Sequence, residues 1–222
     1  MNILNTVKKE WYVVVIVLLP FFVSTYYWEQ LPDTVPTHFN IQGEADDWGP
    51  KWMVAVLIPL VGLFTYLMIL LLPLIDPKKK IETSQKPVAA IRIFTSVFMT
   101  AIYGFVMASA LGSQINFASY IIAGVGLLIL IVGNYMNSIK PNYFIGVRTP
   151  WTLESPEVWK RTHRLTSKVW VVGGFGMMIS AFFPSILESA FPITALVFVL
   201  AGVPIVYSFM LFKKLESKIT DS

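Results

Sequence analysis

Residues 52–75 read WMVAVLIPLVGLFTYLMILLLPLI, a run with no charged side chain and only Trp52, Thr65 and Tyr66 carrying polar groups. A helix rises 1.5 Å per residue, so about 20 such residues cross the roughly 30 Å hydrocarbon core of a bilayer. A helix apolar on every side belongs inside a large protein or inside a membrane. A chain of 222 residues has no core large enough to hide it. Residues 52–75 are therefore read as a transmembrane span.

Five further stretches meet the same standard: 11–28, 88–111 (with Arg92 in its first turn), 120–136, 169–187 and 191–212. Composition agrees. The chain is 55% hydrophobic and 14% charged, with mean hydropathy +0.66, whereas a soluble domain carries roughly 25% charged residues. The expected fold is all-α: a polytopic bundle of six transmembrane helices with a structured extracellular loop and an ordered cytoplasmic loop. Residues 1–80 are expected to form an N-terminal two-helix unit and 81–222 a four-helix unit. The opening MNILNTVKKE resembles a signal-peptide n-region, but no small-x-small cleavage pattern follows it, so an uncleaved first helix is expected. The absence of cysteine excludes a disulfide, a thiolate metal site and a cysteine nucleophile.

Six spans place both termini on one side, and the basic residues decide which. One side carries 16 of the 17 Lys and Arg residues, including Lys8, Lys9, Lys78, Lys79 and Lys80, and the other only Lys51. The positive-inside bias makes the basic side cytoplasmic. Trp11, Trp28, Trp52, Trp151, Trp159 and Trp170 stand at or near span ends, as an interfacial aromatic belt requires. Pro20, Pro59, Pro73, Pro184 and Pro204 lie within or near spans, and each removes a backbone donor that a neighbouring helix or polar side chain has to replace. Gly124, Gly126, Gly133, Gly173, Gly174 and Gly176 suit close helix packing. No charge lies near the centre of a span, which argues against a proton- or ion-coupled transporter.

Two loops hold the polar information. The outer one, residues 29–51, has Pro32, Pro36, Gly43 and Gly49-Pro50 as punctuation and a short strand expected around Val35, His38, Phe39 and Ile41. His38 with Glu44, Asp46 and Asp47 is the one constellation that suggests a divalent metal or acid–base chemistry. No His-x-x-His or His-x-x-x-His spacing accompanies it, so an ordered cap with Trp48 and Phe39 at the interface is the expected structure. The inner loop, residues 137–168, contains a helix start at Ser155-Pro156-Glu157, with Ser as N-cap, Pro at N1 and an acid in the first turn. That helix is expected to lie on anionic lipid, with Val158, Thr162 and Leu165 on one face and Lys160, Arg161, Arg164 and Lys168 around the rest. Residues 142–153 are too apolar for a solvated loop and too short to span. They are expected to fold back on the bundle, where Arg148 needs a carboxylate, carbonyl or phosphate. His163 has no second histidine nearby, so no metal role is assigned to it.

The same two loops carry a family resemblance. Gly133-Asn134, then residues 141–153 (PNYFIGVRTPWTL), then Val158-Trp159 and Thr162-His163-Arg164, resemble the signature of the SdpI family, immunity proteins against the sporulation-delaying toxin of Gram-positive bacteria. Residues 31–51 of the outer loop resemble an uncharacterised domain commonly found N-terminal to that signature. The resemblance implies a multi-pass protein of the bacterial plasma membrane, with cytoplasmic termini, that protects the cell from a secreted membrane-active peptide. It implies no enzyme activity, no cofactor and no metal. Expected partners are the lipid bilayer, the peptide toxin and a cytoplasmic DNA-binding repressor sequestered at the membrane, without direct nucleic-acid binding. Toxin recognition falls on Pro36, His38, Asn40, Gly43, Asp47, Trp48 and Lys51. Partner binding falls on Asn134, Asn142, Gly146, Arg148, Thr149, Pro150, Trp151, Thr152, Trp159 and His163. A small exporter or flippase and a membrane-embedded enzyme using His38 or His163 are the alternatives.

Overall fold

The computed structural model describes residues 3–40, 42–77, 84–113, 118–187, 189 and 191–220; Ile41 and the lysines Lys78, Lys79 and Lys80 lie outside them. The element order is helical apart from one hairpin. Helix α1 (Ile3–Lys9) meets α2 (Trp11–Tyr27) at Glu10 with a 78° bend. Strands β1 (Thr34–Phe39) and β2 (Ala45–Pro50) follow, then a π-helical turn (Met53–Leu57) that opens α3 (Ile58–Ile75). Next come α4 (Gln85–Ala110), α5 (Ala118–Met136), the short α6 (Pro150–Glu154), α7 (Pro156–Ser180), α8 (Pro184–Leu187) and α9 (Phe191–Thr220).

The chain is an all-α polytopic membrane protein, and its surface says why. Phe22, Phe64, Phe182 and Phe198 are each more than 60% exposed, as are many aliphatic side chains along the helices. Apolar surface on that scale is stable only against lipid. Four helical segments among the described residues are long and apolar enough to cross a bilayer: Met53–Ile75, Gln85–Ala110, Ala118–Met136 and Phe191–Lys218. The bent α1–α2 pair makes a fifth if it is one span. The predicted fifth span, 169–187, is not a helix of its own. Residues 169–180 are the second half of α7, whose first half carries Lys160, Arg161, Arg164 and Lys168, a charge that dilutes the apolar run, and residues 181–187 are a turn and α8.

The surface helix expected from Ser155 onward is corrected for the same reason. Its inner face, Val158, Trp159, Thr162, His163 and Thr166, is buried and runs without a break into Gly173, Gly174 and Met177. One continuous stripe packs on the bundle, so the helix does not lie flat on lipid. Glycines set the approach between α5 and α7. A Cβ on Gly126 would sit 2.7 Å from the Gly174 carbonyl, and one on Gly174 2.6 Å from the Gly126 carbonyl. The helices therefore touch backbone to backbone. Gly133 lies against Trp170, Gly124 against Phe98 and Gly173 against Leu200, whereas Gly176 faces open space.

Two of the helix prolines find their missing donors on other helices. Pro20 cannot bond the carbonyl of Ile16, and Thr100 Oγ1 of α4 donates to it at 3.1 Å. Pro204 frees the carbonyl of Leu200, and Trp170 Nε1 of α7 donates to it at 2.9 Å. Ser24 Oγ and Tyr103 OH join α2 to α4 at 2.9 Å. A buried ion pair closes the same interface at one end: Arg92 gives Nε and Nη2 hydrogen bonds of 2.6–2.9 Å to both oxygens of Glu10. Such a fork satisfies a guanidinium where few other acceptors exist.

Candidate functional sites on two polar faces

The hairpin follows from its turn chemistry. Asn40 Oδ1 accepts from the backbone N–H groups of Gln42 and Glu44, both at 3.0 Å, and Gly43 takes φ +81°, which suits glycine. The strands pair Val35 with Gly49 and Pro36 with Trp48, with a register irregularity around His38. Val35 and Leu31 are buried against Val54, Ala55, Tyr103, Met107 and Ala110, so the hairpin is anchored on the π-helical turn and α4. Lys51 ties down its base, with Nζ 3.3 Å from Asp33 and 5.0 Å from the Trp28 ring centroid. Trp48 projects exposed, and Asp47 Oδ1 accepts from the Trp48 N–H.

His38 Nδ1 meets Asp46 Oδ1 at 2.6 Å on the exposed face. Glu44 turns away to Asn40 Nδ2, and no three His, Asp or Glu side chains among the described residues converge as metal ligands. The predicted toxin-face residues thus fall on one small sheet. Pro36, His38, Asp47 and Trp48 stand on the strands, Asn40 and Gly43 form the turn, and Lys51 sits at the base.

The second face is the folded connection from α5 to α7. Asn142 is buried and uses its whole amide. Oδ1 accepts from the N–H groups of Phe144 and Ile145, and Nδ2 donates to the carbonyls of Lys140 and Ile145. Trp159 Nε1 donates to the Ile139 carbonyl at 2.9 Å. Thr149 caps α6 through a reciprocal box with Thr152, and its hydroxyl also meets Ser208 Oγ of α9 at 3.1 Å. Trp151 lies beside Phe209, ring centroids 5.0 Å apart. Ser155 caps α7 by accepting from the Val158 N–H, as its sequence position predicts.

His163 is the centre of this fold-back. Its ring stacks on Trp159 at 4.0 Å, Nδ1 bonds the Trp159 carbonyl at 2.9 Å, and Nε2 receives the Val147 N–H at 3.1 Å. A carbonyl at one nitrogen and an N–H at the other fix the neutral tautomer with its proton on Nδ1. Burial pushes its pKa down to about 4, the Trp159 carbonyl acting weakly in the opposite sense. Both nitrogens are engaged by backbone, so His163 has none free for metal or proton transfer. Gly146, at φ +112°, presses its backbone onto this ring.

The predicted inner-face residues therefore divide. Asn142, Thr149, Thr152, Trp159 and His163 are buried, and with Gly146 they hold the loop together. Arg148, Pro150 and Asn134 are exposed, and Trp151 is half-buried. Arg148 Nη1 donates to the Tyr143 carbonyl, one of the partners expected for it. Ser208, Glu10 and Ile139 were not singled out by sequence. A serine and an arginine inside apolar runs were the available signals for Ser208 and for Glu10's partner Arg92. The carbonyl of Ile139 offered none.

Comparison with known proteins places this geometry. A model of the SdpI/YfhL protein family matches residues 138–208, which begin at the fold-back and run through α7 into α9. A model of a domain of unknown function matches residues 15–63, which include the hairpin. The immunity protein SdpI of Bacillus subtilis (strain 168) is 32% identical over 179 residues, covering 79% of this chain and 83% of that protein. The chain belongs to the SdpI family. No solved structure matches it. Within the family frame, the inward residues of the signature have a physical reading: buried Asn142, Thr149, Thr152, Trp159 and His163, together with Gly146, hold the fold-back together.

Proposed function

We propose that this chain is a membrane immunity protein that protects the cell holding it from a secreted membrane-active peptide toxin. The carrying observation is the similarity to an immunity protein along 79% of the chain. The outer hairpin meets the toxin through Pro36, His38, Asn40, Gly43, Asp47, Trp48 and Lys51. The inner fold-back presents Arg148, Pro150, Trp151 and Asn134 to a cytoplasmic repressor, which is held at the membrane while toxin is present. The chemistry is recognition, not catalysis, and needs no cofactor.

Topology supports this division. Three helices long and apolar enough to cross the bilayer, Met53–Ile75, Gln85–Ala110 and Ala118–Met136, separate the hairpin from the fold-back. Three crossings, an odd number, support a hairpin and a fold-back on opposite sides, whatever α2 and α7 do. With α2 and the segment 169–187, from the second half of α7 through α8, counted as spans there are six, both termini are cytoplasmic, and residues 1–80 and 81–222 form the two units. The Lys and Arg asymmetry of 16 to 1 supports a fold-back on the inside.

The test is survival. Cells sensitive to the sporulation-delaying peptide toxin are expected to survive challenge when they express this chain in the membrane. The Arg148→Ala variant is expected to keep the chain in the membrane and lose relocation of a fluorescently tagged repressor. Killing equal to that of cells without the chain, at confirmed membrane expression, would overturn the reading.

A further inference from the structure

Helices α7 and α9 run antiparallel, Trp170 level with Leu200 and Leu165 level with Tyr207. Between them is a groove of two contrasting parts. One end is a cleft of about 410 Å³ lined by Lys160, Arg161, Arg164 and Lys168, with Tyr207 across from them. Glu157, the one acid in it, is engaged by Arg161 at 2.5 Å. Lys160, Arg164 and Lys168 form no ion pair with any described residue, and Lys214 and Lys218 extend the same cationic surface along α9.

Beyond Tyr207 and Leu165, which line both parts, the groove turns apolar. It opens into a shallow apolar face of α9 formed by Phe198, Val199, Gly202, Val203, Val206 and Met210, most of them exposed. From residue 198 to 210 a helix rises about 18 Å, so this face runs well into the hydrocarbon layer. Gly202 is part of that face, with no atom of a neighbouring side chain or helix within 4 Å of where a Cβ would stand. A soluble partner reaches the cationic cleft but not the apolar face. Free phosphate fills the first and leaves the second empty.

We infer that this groove holds an anionic phospholipid, its headgroup phosphate in the Lys160–Arg164–Lys168 cleft and one acyl chain along α9 past Gly202. Charge complementarity selects the headgroup, and the length of the apolar face along α9 selects a lipid over a soluble anion. The site goes beyond the immunity reading and rests on no step of it. It would also brace α7 against α9, between which the fold-back packs through Thr149 and Ser208.

The experiment is native mass spectrometry of the full chain from bilayers of equimolar phosphatidylglycerol and phosphatidylcholine. The wild type is expected to retain phosphatidylglycerol preferentially. Arg164→Gln and Lys168→Gln are each expected to lower that preference about fivefold, the ratio equivalent to one cation beside anionic lipid. Gly202→Leu, which adds bulk to the apolar face and changes no charge, is expected to lower total lipid retention. Lys213→Gln, outside the groove and paired with Glu216, serves as the charge-matched control and is expected to match wild type. Equal retention of both lipids by the wild type would overturn the inference. So would groove variants no different from Lys213→Gln, or a Gly202→Leu variant that retains lipid like the wild type.

Discussion

At Gly146 the backbone has φ +112°, and a Cβ there would run into His163 Nε2. Gly146→Ala therefore combines a strained conformation with a displaced ring, and is expected to lower stability by about 2 kcal/mol or more. Thermal unfolding in detergent micelles measures it; an unchanged melting temperature would contradict the packing described. His163 supplies a second expectation. Its folded pKa of about 4 lies below the ordinary histidine value of 6.5, so the unfolded chain binds the proton first as pH falls. The stability tied to the neutral ring is complete above about pH 6.5 and is lost progressively as pH falls toward 4, by up to about 3 kcal/mol. Melting temperature against pH should lose much of its slope between pH 6.5 and 4 in His163→Gln relative to wild type; identical slopes would refute the assignment. The sequence indicated that residues 142–153 fold back and that Arg148 needs an acceptor. It did not indicate that His163 is the post they fold against. That bond joins Val147 to a ring 16 residues away, a distance helical periodicity does not report.

Among the helices, the prolines show what sequence reading reaches and where it stops. Pro20 and Pro204 announce a free carbonyl each, and membrane physics demands a donor for it. Only the packing names Thr100 and Trp170 as those donors. Replacing Thr100 with Val leaves the Ile16 carbonyl unpaired in an apolar setting, at a cost of about 1 kcal/mol. In a Pro20→Ala background the restored N–H pairs that carbonyl again, and the same Thr100→Val change should cost much less. The cycle is read by unfolding in micelles, and full additivity would show that the bond carries no coupling. Helix starts and close contacts were legible because one residue type serves them: Ser155 as cap, Gly126 and Gly174 as the touching point of α5 and α7. The fifth span was not. A basic helix and an apolar span that share one axis read in sequence as two objects, because the buried stripe joining them, Thr162, His163 and Thr166, is polar.

For the molecule as a whole, the apolar spans were plain in the sequence, and the Glu10–Arg92 pair was not. The partners stand 82 residues apart, one before the first apolar run and one inside the third. Each alone reads as an interfacial charge. Together they lock α2 against α4, the helix that also receives the hairpin through Tyr103, Met107 and Ala110. The hairpin, α4 and the α2 interface thus form one packed body that holds the proposed recognition surface. Function in this account requires that surface and the fold-back to lie across the membrane from one another. The chain has no cysteine, so a single introduced one reports its own side. Trp48→Cys, exposed on the hairpin, and Glu154→Cys, exposed on α6, can be treated in intact cells with a membrane-impermeant maleimide. The account predicts labelling at position 48 in intact cells and at position 154 only after permeabilisation; labelling of both in intact cells, or the reverse order, would contradict it.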